Sequence, residues 1–174
     1  MLNLGKPSRA LSREVFAVLI LILLCGLFFW RFLVPREMDQ VMFPPGDFAN
    51  QFYTIRALVF REFAAGRLPL WTPCIYSGYP IQADPQSAIF YPPALLVNLS
   101  ALLAGFSRFP FRLLELEVIG HVFLASLFTY AFLRAQVKRW SSALLGAVVF
   151  AYGGYLTGYP LLQMSIIESA IWLP

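Results

Sequence analysis

Val15-Phe-Ala-Val-Leu-Ile-Leu-Ile-Leu-Leu-Cys-Gly-Leu-Phe-Phe-Trp30 contains no charged side chain. Arg31 follows, and its long stem can snorkel to the interface, so the apolar run continues to Val34. Residues 15–34 are then long enough to cross a bilayer as one helix, which takes about 20 apolar residues. The flank before the run, with Lys6, Arg9 and Arg13, is that of a signal sequence. The residues after it, Arg31-Phe-Leu-Val-Pro-Arg36, offer no small-x-small cleavage site. The reading is an uncleaved signal anchor: a cytoplasmic tail over 1–14, then transmembrane helix 1 over 15–34, running outward.

Composition points the same way. Hydrophobic residues make up 59% of the chain and charged residues 13%, against about 25% charged in a soluble domain. Too few charges remain to cover a surface against water, so the class is an all-α integral membrane protein. The net charge of +4 would suit nucleic acid, but its placement does not. Lys6, Arg9 and Arg13 form one basic cluster and Arg134, Lys138 and Arg139 another, each flanking an apolar segment. That is the positive-inside pattern, which puts both clusters in the cytoplasm. No basic groove with interleaved stacking aromatics stands in the sequence, so nucleic acid is not an expected partner. Cys25 falls in the first span and Cys74 in the loop beyond it, too far apart to pair.

The charge pattern also orders the remaining segments. A first extracytoplasmic loop occupies 35–93, where Arg36, Arg56, Arg61 and Arg67 are balanced by Glu37, Asp39, Asp47, Glu62 and Asp84. Pro44-Pro45-Gly46-Asp47 breaks the chain and offers a helix start. Phe48, Phe52, Ile55, Val59 and Phe63 then recur at helical spacing, which predicts an amphipathic helix over about 47–65. Gln51, Arg56 and Glu62 fall off its apolar stripe, and Gly66 is its stop. Leu68 to Pro93 is dense in proline, which removes backbone donors and favours a compact, turn-built segment. Residues 94–106 are apolar but short, and read as an interfacial or re-entrant helix. A full crossing there would carry the Arg134 turn outside, against the positive-inside rule. Transmembrane helix 2 follows over 111–132, a cytoplasmic turn over 133–140 and transmembrane helix 3 over 141–156. The start of a further membrane segment occupies 161–174. Because it is cut off in an apolar element, the chain reads as the N-terminal portion of a longer protein, or as a truncated gene.

Several polar residues could carry chemistry. Asp47 leads: a carboxylate at a helix start on the outer face can take a proton from an acceptor hydroxyl or contact a divalent ion. Equally, it can act only as an N-cap. Asp84, ahead of Pro85 and Gln86, is either a second polar contact for a sugar, phosphate or metal, or the anchor of an Asx turn. Trp71, Tyr76, Tyr79, Phe90 and Tyr91 either stack on sugar faces or populate the membrane interface. Glu117 and His121 share a helix face near Glu115. With it they form a phosphate or metal site, or else Arg112 neutralises a glutamate while His121 bonds a neighbour. Gln163 and Glu168 carry the same two readings. No GxxxxGK, HExxH or paired CxxC motif is present, and the single histidine excludes a three-histidine metal centre.

Taken in order, Gly46-Asp47-Phe48, Leu68-Pro-Leu-Trp-Thr-Pro73, Ser77-Gly-Tyr-Pro80, Ala83-Asp-Pro-Gln-Ser87 and Tyr91-Pro-Pro93 form a string of motifs. The string resembles the first outer loop of the YfhO-type bacterial membrane proteins, which are similar to the GT-C superfamily of multi-pass glycosyltransferases. His121 with Phe123, the Arg134 turn, Ser141-Ser142-Ala143 and Trp172-Leu173-Pro174 continue the resemblance. It implies a GT-C-like transmembrane helix bundle in the plasma membrane, with a large, partly helical first extracytoplasmic loop. It also implies an enzyme that transfers a sugar from a polyprenyl-phosphate carrier to an extracytoplasmic cell-envelope acceptor, with membrane lipid as a further partner. On this resemblance Asp47 is the catalytic residue, and Asp84, Gln86, Trp71, Tyr79 and His121 bind substrate. A divalent cation, magnesium or manganese, stays open, with Asp47 and Asp84 as its carboxylates. Members of that family have more spans than this chain. The alternative is therefore a non-catalytic membrane subunit or scaffold whose outer loop binds a partner or a lipid-linked polymer.

Overall fold

The structure, a computed structural model, describes residues 9–174. Lys6 and the rest of the tail segment 1–8 lie outside the described residues. In chain order the helices are α1 (Arg9–Phe28), α2 (Trp30–Leu33), α3 (Thr54–Ala64), α4 (Pro92–Leu103), α5 (Phe111–Gln136), α6 (Trp140–Tyr152), α7 (Gly154–Thr157) and α8 (Met164–Ala170). A π turn, Phe48–Tyr53, leads directly into α3. The fold is all-helical, with no strand among the described residues. Helices α1 and α5 are long and apolar enough to cross a membrane. The 26 residues of α5 rise about 39 Å, more than the ~30 Å hydrocarbon core. The 12 residues of α4 rise only about 18 Å.

The chain divides into two compact units. The first, the helical unit, comprises residues 9–41, 121–158 and 170–174. Its core joins Ala17 and Leu21 of α1, Tyr130 of α5, and Ala143 and Ala147 of α6. Alanines at these contacts let the helix axes approach closely. Ring contacts fix the helix directions. Phe16 meets Trp140 at 6.1 Å and Phe28 meets Tyr152 at 5.3 Å. Starts face starts and ends face ends, so α1 and α6 run parallel. Helix α5 runs the other way: near its end Arg134 pairs with Glu14, at the start of α1, at 2.8 Å. The Tyr130 hydroxyl donates to the same carboxylate at 2.6 Å. Along α1, Leu19, Ile22, Leu23 and Leu27 are half or more exposed.

The second, the loop unit, comprises residues 42–120 and 159–169. An aromatic chain holds the head of its helix: Phe43 on Phe48 at 5.0 Å, Phe48 on Phe111 at 5.5 Å and Tyr53 on Phe111 at 5.1 Å. The proline-rich stretch is no loose tether. Ile81 and Ile89 reach back from it and pack on Ile55 and Val59 of α3. Its first half is closed by paired backbone bonds, Thr72 N to Tyr79 O at 2.9 Å and Tyr79 N to Thr72 O at 2.8 Å. The six residues between them turn through positive φ at Tyr76, Ser77 and Gly78 (50°, 59° and 142°).

Gly78 is the one position there that a side chain cannot occupy. Its φ is disfavoured for L-residues, and a Cβ would run into the Trp71 ring. Gly78→Ala is expected to cost about 1–3 kcal/mol, read as a lower unfolding midpoint in detergent together with faster proteolysis between Thr72 and Tyr79. An unchanged midpoint would show that the turn relaxes freely and does not set the loop.

Candidate functional site

The candidate site lies in the loop unit, where the π turn faces the proline-rich stretch. Gly46 enters this turn at φ 136°, and Phe48 and Phe52 are buried on its inner side. Asn50, Gln51 and Thr54 line a groove on the other side, completed by Tyr76, Tyr79, Asp84 and Gln86, with a volume of about 440 Å³. Gln51 Nε2 donates to Gln86 Oε1 at 2.6 Å and ties the two walls together. The Tyr76 and Tyr79 rings meet edge to face at 6.2 Å. Partial desolvation holds the Tyr79 phenol above its ordinary pKa, and the neighbouring Asp84 carboxylate adds to the effect. The lining contains one carboxylate and no cation.

Asp84 does anchor an Asx turn: its Oδ1 accepts from Gln86 N at 2.9 Å. The turn aims Gln86 at Gln51, so the structural and the ligand-facing readings of Asp84 coexist. Trp71 is exposed outside the groove lining, with its ring over Gly78, and Tyr76 stands beside Tyr79 in that lining. His121 is buried in the helical unit.

Asp47 stands at the head of the π turn, exposed, and makes no capping bond with its side chain. The reason is conformational. An N-cap needs extended backbone, whereas Asp47 is already helical at φ −57° and ψ −34°. Its carboxylate instead accepts a hydrogen bond from Gln163 Nε2. The residue is thus held by a side chain from a distant segment and not by the helix amides.

Arg56 departs from its expected place on a polar helix face. It is buried, and its Nη2 lies 3.1 Å from Glu117 and 3.5 Å from Glu168, both buried. Nearby in the sequence, Arg112 pairs with Glu115 at 2.7 Å, while Glu115 also accepts from Phe43 N at 2.8 Å. The acidic residues at the start of α5 therefore serve internal pairing, the bland alternative for Glu115. Among the described residues no three His, Cys, Asp or Glu side chains gather as a metal-holding group. Neither cysteine forms a disulfide. No family model, curated protein or solved structure matches the chain.

Proposed function

We propose that this chain is part of a multi-pass plasma-membrane glycosyltransferase of GT-C-like architecture. It would move a sugar from a polyprenyl-phosphate carrier to a cell-envelope acceptor on the outer face. One observation carries the reading: a groove walled by carboxamides, hydroxyls and two tyrosine rings, with no cation in its lining. Carboxamides match the paired donors and acceptors of sugar hydroxyls, and the rings supply apolar faces for the sugar's C–H surface. The order of Pro, Trp, Asp and Gln motifs in the loop supports the same assignment. So does Asp47, exposed and oriented by Gln163 at the margin of the same helix. In the transfer, the acceptor oxygen bonds to the anomeric carbon, the carrier phosphate leaves with the bonding pair, and Asp47 takes the acceptor proton.

The topology proposed with it has the N-terminus in the cytoplasm and 35–93 outside. Parallel α1 and α6 with α5 reversed is the alternation such a chain needs, and the Glu14–Arg134 pair joins the end of α1 that carries Arg13 to the end of α5 that carries Arg134. That is where the positive-inside rule wants them. The half-exposed leucines of α1 then face lipid, as solvent of their own kind.

The test uses the full chain in liposomes with polyprenyl-phosphate donors carrying labelled hexose or N-acetylhexosamine. Label is expected to leave the carrier for an acceptor. No loss from any donor overturns the proposal, and sugar binding without transfer selects the scaffold reading instead. Gln86→Leu is expected to raise KM several-fold with kcat little changed, because the contact serves ground and transition states alike.

A further inference from the structure

A second cleft of the loop unit shares only Thr54 with the sugar groove. It encloses about 500 Å³ between α3 and the segment just before α5. Leu58, Phe60 and Phe109 supply apolar walls, and Arg61 and Arg108 bring two guanidiniums to a polar lining that also includes Ser107 and Thr54. Both guanidiniums are exposed. Glu62 is held by Arg67 at 2.8 Å and stands 3.5 Å from Arg61, and Arg108 has no ion-pair partner among the described residues. The cleft's depth follows from the chain. Ser107 and Arg108 immediately precede Phe111, where a helix long and apolar enough to cross a membrane begins. Leu99, Leu103 and Phe106, just ahead of them, are exposed apolar residues suited to dip into hydrocarbon. Two cations beside an apolar wall thus sit at the level of lipid headgroups.

We infer that this cleft binds the headgroup of an anionic phospholipid, with Arg61 and Arg108 on the phosphate and the first methylenes against Phe60 and Phe109. Soluble phosphate would use the cations but leave the apolar walls bare. A zwitterionic lipid would fill the walls but carry its own cation against the arginines. Only an anionic lipid matches both. The inference rests on the membrane half of the function proposed above and not on sugar transfer.

Cys74 lines the cleft and is exposed, whereas Cys25 is buried, so alkylation of Cys74 by a neutral maleimide reads occupancy. The full chain is placed in nanodiscs of phosphatidylcholine alone or mixed with phosphatidylglycerol. Two arginines at headgroup depth favour the anionic lipid by roughly 30-fold, so phosphatidylglycerol is expected to slow alkylation several-fold. The Arg61→Gln/Arg108→Gln variant, with unchanged helical circular dichroism, should lose the difference, and Arg108→Gln alone should lose part of it. Equal rates in the two discs for the wild type, or slowing that persists in the double variant, overturn the inference. Equal protection by inorganic phosphate in pure phosphatidylcholine discs overturns it in favour of a free anion. A chain that alkaline carbonate strips from membranes overturns both this inference and the membrane reading. A carbonate-resistant chain without lipid preference overturns this inference alone.

Discussion

Asp47→Asn is expected to lower sugar transfer about 10²–10⁴-fold, the usual worth of a positioned proton acceptor, while leaving the loop unit folded. The substitution is nearly isosteric and keeps an oxygen for Gln163 Nε2 to donate to. It removes no helix cap, because Asp47 makes no capping bond. The loss should therefore fall on kcat, with donor KM close to that of the wild type. Gln163→Leu provides the companion measurement. It leaves the carboxylate in place but removes the group that aims it, so kcat should fall less while the unfolding midpoint does not move. If Asp47→Asn transfers sugar at the wild-type rate, the proton goes elsewhere and Asp47 is only the residue that Gln163 holds.

How much of this arrangement could be read from the chain depends on how far apart the partners lie. The stripe Phe48, Phe52, Ile55, Val59 and Phe63 is a local signal. It locates a helix with a buried face, and the structure is helical from Phe48 to Ala64. The uncharged run before Trp30 likewise marks α1 without reference to anything else. The opening π turn is invisible at that level, because a four-residue step from Phe48 to Phe52 suits either geometry. Pairings are hidden altogether. Gln51 and Gln86 are 35 residues apart, Asp47 and Gln163 are 116 apart, and Arg56 lies 61 and 112 residues from its two carboxylates. A helical wheel sends Arg56 to water by default, and only a second packed surface supplying carboxylates reverses that. The choice between Trp71 and Tyr76 was equally out of reach. Tyr76 meets Tyr79 from a turn with positive φ at Tyr76, Ser77 and Gly78, a backbone conformation that no side-chain pattern announces.

Arg56→Met should destabilise the loop unit by about 3–5 kcal/mol, as removal of one partner from a buried ion cluster does. Methionine fills much the same space, so the loss reports charge and not a cavity. It leaves Glu117 and Glu168, with side chains only 1% and 8% exposed, without the guanidinium that both face. Arg112 cannot substitute, since Glu115 engages it at 2.7 Å. Two further measurements separate this account from general loss of packing. Buried carboxylates without a cation take up protons, so the deficit of Arg56→Met should shrink as pH is lowered from 8 to 5. Adding Glu117→Gln and Glu168→Gln to Arg56→Met should restore most of the unfolding midpoint, because three neutral side chains carry no desolvated charge. A deficit below about 1 kcal/mol at pH 8, in the range of exposed pairs, would mean that water reaches the cluster. The consequence extends to the groove. Arg56 sits on the same helix as Thr54 and one turn beyond Gln51, so a helix released from Glu117 and Glu168 no longer holds one wall against Gln86. Donor KM should therefore rise in Arg56→Met even at temperatures where the chain stays folded, and it should recover in the triple variant alongside the midpoint.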